Sequence, residues 1–179
     1  MNRRLLYVIG EPGAGKTTAV DAYCSAYEPV DVDTPIAHRA WMDDGGLAFV
    51  TLGRNRPPFS GTDTLAMNVQ PTATTWLAHP ASPRIVLAEG DRLGNAKFLN
   101  AMHDAGRDVT VVYLATDPDV AAARRATRSA ATGTTQNSAW VAGRVTKVSR
   151  LVTTFDPVRI DGNRPVDEIA ADLANLLDV

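Results

Sequence analysis

The chain has 179 residues, 45% of them apolar and 21% charged, with a formal net charge of −2. That length suits one domain with a sizeable core, and the charge balance argues against a non-specific nucleic-acid coat while leaving room for a local basic patch. A single cysteine, Cys24, excludes a disulfide framework. No stretch approaches transmembrane length and the first apolar run is too short for a signal peptide, so a reducing cytoplasm is the expected setting. His38, His79 and His103 have no Cys or His partner at metal-ligand spacing, so no transition-metal site is expected.

In chain order, the apolar run Leu5-Leu6-Tyr7-Val8-Ile9 predicts a short buried strand. It leads into Gly10-Glu11-Pro12-Gly13-Ala14-Gly15-Lys16-Thr17, a full G-x-x-x-x-G-K-[ST] match, and then into a predicted helix that starts at Thr17-Thr18 and runs to about Tyr27. Strand, glycine loop and helix together predict a nucleoside triphosphate site. Gly10, Gly13 and Gly15 let successive backbone N–H groups point at an anion, and the helix N-terminus adds partial positive charge. Lys16 reaches the β- and γ-phosphates, and the Thr17 hydroxyl ligates Mg²⁺.

Pro29 to Val32 predicts a short second strand, followed by a loop-rich insertion over 34–61. The insertion holds a hairpin (Leu47 to Leu52 after Asp43-Asp44-Gly45-Gly46) and a Pro57-Pro58 break. A helix over Pro71 to His79 precedes the strand Arg84 to Ala88, which ends in Glu89-Gly90-Asp91-Arg92. Then come a helix from Phe98 to Ala105, a strand from Val109 to Leu114 and a helix from Asp117 to about Arg128. Ser129 to Asn137 reads as a mobile loop, Val158 to Ile160 as a fifth strand and Val166 to Leu177 as a closing amphipathic helix. The alternation predicts an α/β domain over 1–179, its five-stranded, mainly parallel sheet covered on both faces.

Between Val120 and Phe155 the sequence carries Arg124, Arg125, Arg128, Arg144, Lys147 and Arg150 and no acidic residue. A solubility surface normally mixes signs, so this 120–155 segment reads as a phosphate-covering lid. A closing lid neutralises the migrating phosphoryl group and excludes water. The competing reading is a nucleotide switch, supported by the D-x-x-G form of Asp91-Arg92-Leu93-Gly94. Against it, the guanine-reading motif is missing: Thr146-Lys147-Val148-Ser149 lacks the Asp.

The whole arrangement resembles the small P-loop nucleoside, nucleotide and polynucleotide kinases. The resemblance implies a three-layer P-loop kinase fold, ATP and Mg²⁺ as cofactors, and an adenine-holding loop at Gly162-Asn163-Arg164-Pro165. Pro57 to Leu65, Ala88 to Leu93 and Trp140 to Lys147 are similar, more specifically, to phage-type DNA kinases that phosphorylate 5-hydroxymethyluracil in DNA. This finer resemblance implies a hydroxymethylated pyrimidine in DNA as acceptor, and the host cytoplasm as location if the chain is phage-encoded. The alternative acceptor is a free nucleoside, nucleotide or other small metabolite.

A hydroxyl acceptor needs a carboxylate to take its proton. Asp63 is the first candidate and Asp33, ending Asp31-Val32-Asp33, the second. Glu89, at the carboxyl edge of a buried strand, is placed to hold Mg²⁺, with Asp91 able to share that role. Arg92 is expected on a phosphate or an acid. Arg124 and Arg128, spaced i and i+4, are expected to face the triphosphate, and Arg144 and Lys147 the nucleotide or a DNA backbone. Trp140, Phe59, Trp41 and Trp76 are candidate stacking groups for an extruded base, with Arg54 and Arg56 on the DNA phosphates.

Overall fold

The computed structural model describes residues 3–54, 60–133 and 135–177. At its centre is β1 (Arg4–Ile9), a strand buried along nearly its whole length. Its alternating side chains feed two cores. Leu5, Tyr7 and Ile9 face one, Leu6 and Val8 the other. Such double burial requires helices on both sides of the sheet, and the remaining elements supply them.

The sheet has seven strands in the order β2-β3-β4-β5-β1-β6-β7. They are β2 (Glu28–Val32), β3 (His38–Asp43), β4 (Gly46–Leu52), β5 (Ile85–Glu89), β6 (Asp108–Ala115) and β7 (Val158–Asp161) beside β1. From β4 through β5, β1 and β6 to β7 every pairing is parallel, whereas β2, β3 and β4 form an antiparallel meander. The expectation of five strands is therefore corrected to seven. The segment 34–61 supplies β3 and β4, and β4 runs parallel to β5 through Val50↔Val86 and Thr51↔Leu87. The meander turns where Gly45 N donates to Asp43 Oδ1 at 2.8 Å and Gly46 takes φ 108°.

On one face lie α2 (Gln70–Ala78) and α3 (Ala96–Asp104), burying Ala73, Leu77, Phe98, Leu99 and Met102. On the other, α1 (Lys16–Cys24) packs with α6 (Val166–Leu177), whose Ile169, Leu173 and Leu177 recur at helical spacing. The acid-free segment folds as α4 (Pro118–Thr132) and α5 (Ser138–Phe155). Ser129 to Thr132, expected in a loop, continue α4, which ends at Gly133 in the left-handed region. The Asn137 side chain caps α5 by accepting from Ala139 N at 2.8 Å and Trp140 N at 3.2 Å. These two helices are thinly attached: among the described residues α4 buries Ala121, and α5 buries Val148 and Leu151. No helix among the described residues is long and apolar enough to cross a membrane.

Candidate phosphoryl-transfer site

The glycine loop joins β1 to α1 at the carboxyl edge of the sheet. Gly13 and Gly15 hold φ of 91° and 95°, and a Cβ on Gly13 would run into the Ala121 carbonyl. Lys16 lies back along the loop, its Nζ donating to the Gly10 carbonyl at 2.8 Å and the Glu11 carbonyl at 3.2 Å. Burial lowers the pKa of its ammonium, and Glu89 most strongly opposes that shift.

Glu89 is buried where β5 ends, with Oε1 accepting from Thr17 Oγ1 at 3.0 Å. Thr17 Oγ1 is also 2.6 Å from Ser60 Oγ. Burial raises the Glu89 pKa, opposed by Lys16 and by hydrogen bonds from Thr17 and Ser60. A carboxylate and two hydroxyls gathered beside the phosphate loop form a hard oxygen donor set that fits Mg²⁺. Ser60 was not singled out as a site residue, because a serine in a Pro- and Gly-marked stretch carries no signal of its own.

Behind Ser60, a single 3-10 turn (Gly61–Thr64) presses on the end of β5. A Cβ on Gly61 would collide with the Glu89 carboxylate, and the Tyr7 hydroxyl ties Thr62 Oγ1 at 3.1 Å to the Gly90 carbonyl at 3.0 Å. Asp63, in this turn, accepts on Oδ1 from Asp91 N at 2.8 Å and Arg92 N at 3.0 Å. Arg92 Nη2 returns a bond to the Asp63 carbonyl at 3.3 Å. Asp63 thus sits beside Glu89 and also organises the turn after β5.

The other expected residues divide. Asp91 is taken by α5, with Arg144 Nη1 at 2.5 Å and Lys147 Nζ at 2.7 Å, so of the two acids considered for metal it is Glu89 that touches Thr17. Arg124 donates to the Ala14 carbonyl at 3.1 Å and the Gly162 carbonyl at 3.0 Å, bridging the glycine loop and the 161–165 loop. Arg128 is exposed one turn further along. Arg125, expected as one of the six cations of 120–155, reaches the Pro12 carbonyl at 2.6 Å. Gly162 is buried against Thr116 and donates to the Ala115 carbonyl at 2.7 Å. Asn163 accepts from Asp117 N at 3.2 Å, whereas Arg164, next to Pro165, pairs with Asp172 and Glu168 of α6.

Asp33 is 81% exposed and pairs with Arg54 Nη2 at 2.6 Å. Trp41 is buried, its Nε1 donating to Thr51 Oγ1 at 2.9 Å, and Trp76 packs on His38 and the core. Trp140 is 42% exposed with Arg144 over its ring. Phe59, Arg56 and the Pro57-Pro58 break lie outside the described residues. A cavity opens beside Thr17 and Glu89, lined also by Asp21, Arg39, Trp41, Thr51, Gly53, Arg54 and Gly61.

Phosphate loop, buried acid and cation-rich helix pair on a mainly parallel sheet define a P-loop phosphotransferase. The sequence matches the P-loop Nucleotide Kinase3 family model over residues 1–171, and the chain belongs to that family. Membership sets aside the switch reading. A sugar kinase from Janibacter sp. HTCC2649, in an unliganded structure, has a similar fold at 14% identity and a TM-score of 0.56, covering 99% of this chain and 95% of that one. A gluconokinase from Sinorhizobium meliloti 1021 is similar at 17% identity and TM-score 0.54, covering 98% and 94%. A shikimate kinase from Bacteroides thetaiotaomicron is similar at 14% identity and TM-score 0.50, covering 98% and 99%. At these identities the likeness concerns the fold. No curated protein sequence matches the chain.

Proposed function

We propose that the protein transfers the γ-phosphoryl group of ATP, with Mg²⁺, to a hydroxyl of a small molecule bound in the cavity beside Thr17 and Glu89. The observation that carries this reading is the continuity of that cavity with the metal-fitting oxygens of Thr17 and Glu89. An acceptor there lies next to the phosphate loop. The acceptor oxygen bonds to the γ-phosphorus as the bond to the β-phosphate oxygen breaks, ADP leaves, and the hydroxyl proton passes to a carboxylate. Asp63 is the candidate for that last role because its turn abuts Glu89.

When bound, Mg²⁺ supplies neutralising charge for the phosphates, with Thr17 and Glu89 holding it directly or through water. Lys16 leaves its loop carbonyls to meet the β- and γ-phosphates. Arg124 and Arg125 already touch the loop that cradles them, and Arg128, Arg144 and Lys147 are further cations on the same helix pair, the last two held by Asp91. Gly162 and Asn163 border the adenine end.

A small acceptor is preferred here to 5-hydroxymethyluracil in DNA. Two of the aromatic residues expected to receive an extruded base, Trp41 and Trp76, are committed to packing. The structural neighbours are named as kinases of sugars, gluconate and shikimate, all small hydroxyl compounds. The test is transfer of label from γ-labelled ATP to small hydroxyl compounds, nucleosides, nucleoside monophosphates and hydroxymethyluracil DNA in parallel. Label on a small molecule is expected. Label on DNA alone overturns the preference.

A further inference from the structure

Resting on this reading, the acceptor cavity holds a feature that narrows the class of molecule it takes. Arg39 on β3 and Thr51 on β4 are cross-strand partners, and Arg54 follows two residues after β4 ends. Both arginines line the cavity that reaches Thr17 and Glu89. One carboxylate sets them side by side: Asp31 Oδ1 lies 2.7 Å from Arg39 Nε, and Asp31 Oδ2 lies 3.9 Å from Arg54 Nε.

Arg54 is held from three directions. Its backbone N donates to Thr64 Oγ1 at 2.9 Å, its Nη2 meets Asp33 at 2.6 Å, and at Gly53 (φ 81°) the chain approaches Gly61 so closely that a Cβ there would strike the Gly61 carbonyl. This fixes the guanidinium relative to the 3-10 turn that abuts Glu89.

The exposures run against a simple surface ion-pair cluster. The arginine side chains are 25% and 14% exposed, whereas Asp31 and Asp33 are 46% and 81% exposed. The cations are tucked inward and the acids stand outside. Arg54 Nε is buried without a hydrogen-bond partner among the described residues, with Asp31 Oδ2 too far away at 3.9 Å to accept from it. Two adjacent guanidiniums on a cavity wall, one with a buried unpaired N–H, match the planar two-oxygen geometry of an oxyanion. Asp21 and Thr51 on the same lining offer acceptors for hydroxyl groups, so the cavity is not a general anion sink.

We propose that Arg39 and Arg54 form an oxyanion subsite and that the acceptor is a small hydroxy compound bearing a carboxylate or phosphate. The anionic end docks on the two guanidiniums, and a hydroxyl is thereby directed toward Thr17 and Glu89.

The test is calorimetric binding of matched pairs to the full chain: gluconate against glucitol for a carboxylate, glucose 6-phosphate against glucose and thymidine 5′-monophosphate against thymidine for a phosphate. Each titration is run with and without saturating AMP-PNP and Mg²⁺, which blocks the nucleotide site from the monophosphate. At least one acid is expected to bind ten times or more tightly than its neutral partner, and which pair shows it identifies the anion. Arg54→Gln should erase the preference, and Arg54→Lys, which keeps the charge but loses the planar fork, should restore only part of it. Circular dichroism melting confirms that each variant folds. Acids binding no better than their neutral partners, or a preference that survives Arg54→Gln in folded protein, overturns the subsite. So does a hydroxymethyluracil oligonucleotide that outbinds every small acid. Loss of AMP-PNP binding would overturn the parent kinase reading instead, leaving the acid–neutral comparison to decide this one.

Discussion

Lys147 closes on Asp91 twice, its Nζ lying 2.7 Å from the carboxylate and 2.8 Å from the backbone carbonyl. With Arg144 on the same carboxylate, this clasp supplements the slight apolar attachment of α5, whose buried residues are Val148 and Leu151. Asp91 directly follows the Glu89-Gly90 end of β5, so the clasp joins α5 to the edge of the Thr17–Glu89 site. Both cations are partly exposed, so each pair contributes about 0.5–1 kcal/mol after screening. Asp91→Asn should therefore raise amide exchange along α5 by roughly five- to twenty-five-fold, at about tenfold per 1.4 kcal/mol, and leave β1 and β5 untouched. Unchanged exchange in α5 would mean that the clasp does not hold the helix.

Lys16→Ala should abolish phosphoryl transfer in a protein that still melts cooperatively. Among the described residues the ammonium bonds two loop carbonyls, and its worth appears when phosphate oxygens gather charge in the transition state. A loss of about a hundredfold or more in kcat is expected. Near-normal turnover in a folded variant would remove Lys16 from the chemistry.

Where one side chain type or one spacing carries the physics, the sequence was sufficient. The glycine loop reads directly because no other residue type tolerates Gly13 against Ala121, and β1 reads directly because double burial demands an unbroken apolar run. Glu89 was visible as the acid ending a buried strand. The meander was only half visible. β3 reads His-Arg-Ala-Trp-Met-Asp, a mixed run that is stabilised by cross-strand partners rather than by its own pattern, so β2, β3 and β4 join one sheet through pairings remote from local propensity. The same remoteness hid Arg39, which meets Arg54 only after the hairpin has folded. The six cations of the acid-free segment were legible as a group, but not their partners. Carbonyl oxygens of Ala14, Pro12 and Gly162 leave no mark in a sequence, and nor does the choice of Asp91 by Arg144 and Lys147.

Asp63 and Asp33 can be separated because their surroundings differ. Asparagine at position 63 keeps an oxygen for the Asp91 and Arg92 N–H groups while losing the charge, so Asp63→Asn should fold normally and lower kcat by about a hundred- to ten-thousandfold if the carboxylate takes the acceptor proton. Asp63→Ala should add a stability loss of about 1–3 kcal/mol, because the two N–H groups lose their acceptor. Asp33→Asn releases one exposed ion pair to Arg54 and should shift the melting midpoint little. A silent Asp63→Asn beside a crippled Asp33→Asn would reverse the assignment.

Glu89→Gln should trade function against stability. Burial holds the Glu89 carboxyl above the usual carboxylate range, and the attraction of Lys16 with the bonds from Thr17 and Ser60 only partly offsets that burial. In the empty protein the stability contribution of this group is fully present at low pH, below the carboxylate range of the unfolded chain. It is lost as pH rises through the raised folded value. Glutamine keeps the shape and an acceptor for the Thr17 hydroxyl but cannot ionise. The empty Glu89→Gln protein should therefore melt close to wild type at acid pH and above it near neutrality, with the gap widening as pH increases. Transfer should fall by about a hundredfold or more, because the variant withdraws the carboxylate that touches Thr17 and with it the charge that would offset the metal. Added Mg²⁺ with AMP-PNP should raise the melting midpoint of wild type more than that of the variant. Should the two proteins melt alike across the whole pH range and gain equally from Mg²⁺, Glu89 is neither an uncompensated buried acid nor part of the metal site.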